Sequence, residues 1–176
     1  NLTSKLQYNA QPLRLTRCRA GTLLRRAVSD FCNDNEGREV ALEMDRAADQ
    51  AMLEADEAML RRAFANLLGN SARHNPQGCA IRGQALLQPQ EQPPRLCIIF
   101  SDEGTGFPPT VLAVLQGRAE PGSQQPHILG LHLVQQIVAA HGGRTVFAQN
   151  QPKGARVTLC LPLAGQGQDT PETEKG

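Results

Sequence analysis

The hydrophobic period of this chain switches between about 3.6 and 2 residues several times, and that alternation limits the fold more than any other feature. Leu23/Leu24, Ala27/Val28 and Phe31/Cys32 recur at helical spacing and predict an amphipathic helix that stops in the polar run 33–37. Val40, Leu42 and Met44 then alternate as in a strand, and residues 51–55 read as a second short strand leading to Asp56, a good N-cap. The helix expected from Glu57 to about Arg73 carries Leu60, Phe64, Leu67 and Leu68 as one inward stripe. Residues 79–87 and 95–101 read as strands joined by a Gln- and Pro-rich loop. A further helix is expected from about Gly130 to His141, with Leu131, Val134, Ile137 and Val138 inward and Gly142-Gly143 at its end. A hairpin of 144–148 and 155–161 follows, closed by Pro162. Pairs of strands between helices predict an α+β fold, a two-layer sandwich with one mixed, mostly antiparallel sheet and helices on one face.

Length and composition narrow the function. A chain of 176 residues suits one domain. The division expected is 1–13 as linker, the end of an upstream helix, 14–164 as the domain, and 165–176 as a disordered tail, so the chain is expected to be a fragment. A net charge of +1 gives no global field for nucleic acid, and five Phe, one Tyr and no Trp supply few stacking platforms, so no nucleic-acid partner is expected. No apolar run approaches the roughly 18 residues of a membrane span. Five cysteines without C-x-x-C spacing (Cys18, Cys32, Cys79, Cys97, Cys160) are expected to be reduced, packed thiols.

Three segments break local rules. Asn66 and Asn70 lie mid-helix, where their amides compete for backbone hydrogen bonds, and their spacing puts both beside the apolar stripe. The same positions suit a solvated helix edge or neutral oxygen ligands for Mg²⁺. After the buried-type strand comes Ser101-Asp102-Glu103-Gly104-Thr105-Gly106-Phe107-Pro108. Here a carboxylate followed by two glycines is either a simple turn or a place where a planar ligand meets the backbone while Asp102 accepts from its amine. Finally, about twenty residues between Pro109 and Leu129 hold only a short apolar patch, 111–115, before a polar stretch, as a lid would. The helix start at Gly130 offers unpaired N–H groups to phosphate.

Taken together, "LRRAFANLLGNSARHNP", "SDEGTGFP", "HILGLHLVQQIVAAHGG" and "KGARVTLCLPL" resemble the N-box, two glycine boxes and terminal hairpin of the ATP-binding catalytic domain of bacterial sensor histidine kinases. That superfamily is shared with gyrase, heat-shock-90 chaperones and mismatch-repair ATPases, and the likeness covers about residues 14–163. The resemblance implies ATP and Mg²⁺ as cofactors, with Asn70 as the Mg²⁺ ligand and Asp102 on the adenine amine. Asn66 stands where the hydrolysing relatives carry a Glu that activates water, and an amide cannot take that proton. Arg73 replaces the usual phosphate-contacting Lys. His74, Gly104, Gly106, Gly130 and Leu131 complete the implied ATP-binding set.

The implied activity is transfer of the γ-phosphoryl group to a histidine, for relay to an aspartate on the receiver domain of a response regulator. None of His74, His127, His132 or His141 has the sequence context of a phosphoacceptor, so that histidine is expected on a dimerisation domain absent from this chain. The parent is expected to be a homodimer with this domain in the cytoplasm, anchored in the bacterial inner membrane. Pro126 and Ile128 stand where the second glycine box has its first two glycines. They leave open an alternative, a degenerate nucleotide-sensing or partner-binding module with little kinase activity.

Overall fold

The computed structural model describes residues 12–122 and 128–165. In chain order the elements are β1 (Thr16–Arg19), α1 (Ala20–Asp34), β2 (Val40–Met44), α2 (Arg46–Gln50), β3 (Met52–Ala55), α3 (Glu57–His74), β4 (Ile81–Gln88), β5 (Arg95–Asp102), α4 (Pro109–Leu115), α5 (Ile128–Ala140), β6 (Arg144–Gln149) and β7 (Ala155–Pro162). Five strands form one sheet in the order β2-β4-β5-β7-β6. Only β2 and β4 run parallel, and the other pairs are antiparallel. The α+β sandwich with a mixed, mostly antiparallel sheet is therefore the fold observed.

The period of 2 decides which way each strand faces. Leu96, Ile98 and Phe100 of β5 and Val157, Leu159 and Leu161 of β7 join Leu60, Phe64, Leu68, Val134 and Val138 in the core. Phe64 and Phe100 meet with ring centroids 5.5 Å apart, so the α3 stripe sits on the middle strand of the sheet. The opposite side chains, among them Leu86 and Val146, lie on a face that none of these core helices covers.

Several boundaries depart from expectation. Residues 52–55 do not join the main sheet. They pair with β1, which the sequence hides because TRCR contains a single apolar residue, and the two make a separate antiparallel ribbon. The five-residue α2 is too short to show a period and is held by Asp45, whose Oδ1 accepts from the Ala48 N–H at 2.8 Å. The patch 111–115 belongs to α4, which Pro109 opens at a position where proline costs no hydrogen bond.

α5 begins at Ile128, ahead of Gly130. Ile128 is buried in the core, and no described residue other than glycine has a positive φ, so Ile128 needs no glycine-like backbone. Pro126 and His127, and the expectations for 1–11 and 166–176, lie outside the described residues.

Cys97 and Cys160 are paired as a disulfide, against the expectation of five reduced thiols. They stand opposite one another in the β5–β7 register with Cα atoms 4.2 Å apart, a relation that a sequence separation of 63 does not display. Cys18, Cys32 and Cys79 are free thiols.

Candidate functional site

The site is built where the C-terminal half of α3 meets the end of β5. Asp56 caps α3, its Oδ1 accepting from the Met59 N–H at 3.2 Å, and its own N–H donates to His141 Nε2 at 3.0 Å, which fixes the helix start to the end of α5. The apolar stripe then presses one side of α3 on the sheet and brings Asn66, Asn70 and Ser71 to its border. Asn70 is buried, and its Oδ1 has no hydrogen-bond partner among the described residues. A buried amide oxygen left unpaired costs about 1–3 kcal/mol, so this atom calls for a ligand.

Asp102, the last residue of β5, is 3% exposed. Its Oδ2 accepts from Ser71 Oγ at 2.7 Å, and its Oδ1 accepts from the Gly104 N–H at 3.0 Å and the Ala155 N–H at 3.1 Å. The carboxylate is thereby held by three elements, and Oδ2 keeps a lone pair for another donor. Asn150 Nδ2 donates to the Asp102 carbonyl at 2.8 Å, tying the β6–β7 turn to the same residue.

Asn75 clamps the loop after Asp102. Its Nδ2 donates to the Ser71 carbonyl at 2.8 Å and its Oδ1 accepts from the Thr105 N–H at 3.0 Å. Arg38 Nη2 in turn donates to the carbonyls of Ala72 at 3.2 Å and Asn75 at 2.8 Å, closing the end of α3. A Cβ at Gly104 would collide with the Asn75 side chain, and Gly106, at φ 78°, would meet Gln149 Oε1 and the Gly154 carbonyl. The two glycines therefore make room for the protein's own clamp. Gln149 closes the loop by pairing with the Phe107 backbone like a strand, accepting from its N–H at 3.0 Å and donating to its carbonyl at 2.6 Å.

Between these groups lies a narrow cleft. Phe107, Pro108, Val111, Leu131 and Ala155 form its apolar walls, and Asn70, His74, Asn75 and Asp102 its polar ones. Of the residues singled out by sequence, Asn70, His74, Asp102, Gly106 and Leu131 line this cleft together. Asn66 and Gly130 meet beside it, Asn66 Nδ2 donating to the Gly130 carbonyl at 3.4 Å. Gly130 lies in the first turn of α5, where backbone N–H groups lack intrahelical acceptors. Gly104 touches Asn75 and is absent from the lining. Arg73 is exposed in the last turn of α3 and does not line the cleft; it lies about 60° from Asn70 around the helix, on the side opposite to His74, which does line it.

Ser71, Asn75 and Gln149 were not singled out. Ser71 and Asn75 carry a faint signal, two polar residues four apart at a helix end, whereas Gln149 acquires its role only through the tertiary contact with Phe107. Beside the site, burial pushes the Cys79 thiol pKa up, and the Asp102 carboxylate adds to that rise.

A carboxylate at the bottom of an apolar slot, with an amide oxygen and a helix start at its side, can hold a flat amine-bearing group and an anionic chain. The chain is 32% identical over 166 residues to the alginate biosynthesis sensor protein KinB of Pseudomonas aeruginosa, covering 91% of this chain and 27% of that protein. The solved structure of the mycobacterial sensor histidine kinase MprB superposes with a TM-score of 0.63 at 25% identity, covering 85% of this chain and 97% of that one. Full-length ShkA in complex with AMPPNP shares the fold at a TM-score of 0.69 and 22% identity, over 88% of this chain and 32% of that one. This chain thus spans about a quarter of the length of KinB. The model of the histidine kinase-, DNA gyrase B- and HSP90-like ATPases matches residues 55–165, and the chain belongs to that family.

Proposed function

We propose that this domain binds ATP with Mg²⁺ and serves as the catalytic domain of a sensor histidine kinase. It would transfer the γ-phosphoryl group to a histidine on a dimerisation domain of the same parent protein, for relay to a receiver-domain aspartate. The observation that carries this reading is the pairing of Asp102 with the orphaned Asn70 Oδ1 across one cleft. Asp102 Oδ2 accepts from the adenine amine while Phe107, Val111 and Leu131 cover the ring. Asn70 Oδ1 fits a hard cation that takes most of its oxygens from phosphates and water, and Mg²⁺ there would neutralise phosphate charge.

Asn66, bonded to the first turn of α5, favours transfer over hydrolysis. Asn66 spends its amide hydrogen on the Gly130 carbonyl, and an amide oxygen is too weak a base to deprotonate water. The acceptor is therefore a nucleophile brought by a partner. As in sensor kinases generally, the parent would be a homodimer in the inner membrane with this domain in the cytoplasm. Mixing the domain with a separately expressed dimerisation domain and labelled ATP tests the reading. Phosphohistidine should form in the partner, and release of phosphate to water without it would refute the transfer.

A further inference from the structure

Behind Asp102, on the outer face of the sheet, the strand register sets two arginines on either side of one serine. Arg82 of β4 stands opposite Ser101 of β5, and Ser101 stands opposite Arg156 of β7. Neighbouring strands are about 4.8 Å apart, so the two arginines stand one on each side of the serine along this row. An open cleft lies over this row, lined also by Ala41, Ala80, Gln84, Asn150 and Gln151.

The charges are arranged rather than merely summed. Glu43 approaches Arg82 through Nε at 3.5 Å, which leaves the two Nη groups of Arg82 without a described partner. Glu43 is itself held by Gln84 Nε2 at 3.3 Å. Arg156 makes no side-chain hydrogen bond or ion pair among the described residues, and Asp102 and Glu103 are the carboxylate residues that line the same cleft. The Nη groups of Arg82 and the guanidinium of Arg156, one on each side of a serine, match a tetrahedral or planar oxyanion, which accepts paired charge-assisted hydrogen bonds.

We propose that Arg82, Ser101 and Arg156 form an oxyanion site, for a phosphate or carboxylate group, in a cleft that shares only Asp102 with the one in front of the sheet. Its location couples it to the front. Ser101 precedes Asp102, and Arg156 follows Ala155, whose N–H holds Asp102 Oδ1. An oxyanion bound behind the sheet therefore rests on the same two strand ends that aim the front carboxylate.

The test is a nuclear magnetic resonance titration of the labelled chain with inorganic phosphate and, in a second arm, acetate. Arg82 and Arg156 side-chain N–H signals report the rear site, and the Asn70 amide reports the front cleft, so the two are read separately. The expected result is one saturating isotherm shared by Arg82, Ser101 and Arg156, weakened at least tenfold in Arg156→Gln and in Arg82→Gln, with the Asn70 response to ADP retained. Tighter saturation by phosphate assigns a phosphate ligand, and tighter saturation by acetate a carboxylate one. Failure of both to saturate, or isotherms unchanged in both variants, would overturn the site.

Discussion

Ser71 donates its hydroxyl hydrogen to Asp102 Oδ2 over 2.7 Å and so joins the helix that carries Asn70 to the strand that carries the carboxylate. The bond fixes which oxygen lone pair is left for a ligand. A hydrogen bond to a charged group is worth about 1.5–3 kcal/mol, so Ser71→Ala should lower unfolding stability by about that amount and weaken ADP binding several-fold. Urea denaturation and calorimetry measure the two. Unchanged ADP affinity in a destabilised variant would reduce Ser71 to a structural role.

Asn70→Ala should separate the ion from the base. Its orphaned oxygen is assigned to Mg²⁺, so ADP affinity should fall in the presence of Mg²⁺ and stay near wild type in EDTA. An equal loss under both conditions would contradict the assignment.

His141 links the two helices that frame the cleft. It sits between the Asp56 N–H, at 3.0 Å from Nε2, and the Ile137 carbonyl, at 2.7 Å from Nδ1. His141→Ala leaves the Asp56 N–H unpaired and should cost about 1–3 kcal/mol of stability, read from a shift in the urea midpoint at constant slope. A loss below about 0.5 kcal/mol, the ordinary range of a surface change, would show that water replaces the ring.

The Cys79 thiol reports the Asp102 charge. Burial raises its pKa, and the neighbouring carboxylate raises it further, so the reactive thiolate forms only at higher pH than in an ordinary cysteine. Removing the charge in Asp102→Asn should move the pH–rate profile of Cys79 alkylation to lower pH. A profile that stays in place would mean that burial alone sets the thiol.

The long segments were legible because their own pattern encodes them: the α3 stripe, the apolar strands β5 and β7, and the Asp56 cap all match the observed elements. Short elements were not. Four residues with one apolar side chain, as in β1, have no period, and their strand state depends on the partner β3. The same division holds in the site. Asn70 and Asp102 stood out because each breaks a local rule, whereas Ser71, Asn75 and Gln149 obey local rules and gain their roles from partners 30 to 42 residues away. The Cys97–Cys160 pair is likewise a product of register, which composition cannot show.

Isothermal titration of ADP and ATP into wild type and Asp102→Asn shows whether Asp102 is the adenine acceptor of an ATP-binding domain. An amide keeps the shape of the carboxylate but sets a donor group against donors and loses the charge. Wild type should bind both nucleotides, and Asp102→Asn, still folded by circular dichroism, should bind each at least tenfold more weakly, a difference of about 1.4 kcal/mol or more. Equal affinities in the two proteins, or no nucleotide binding by the folded wild type, would contradict the account.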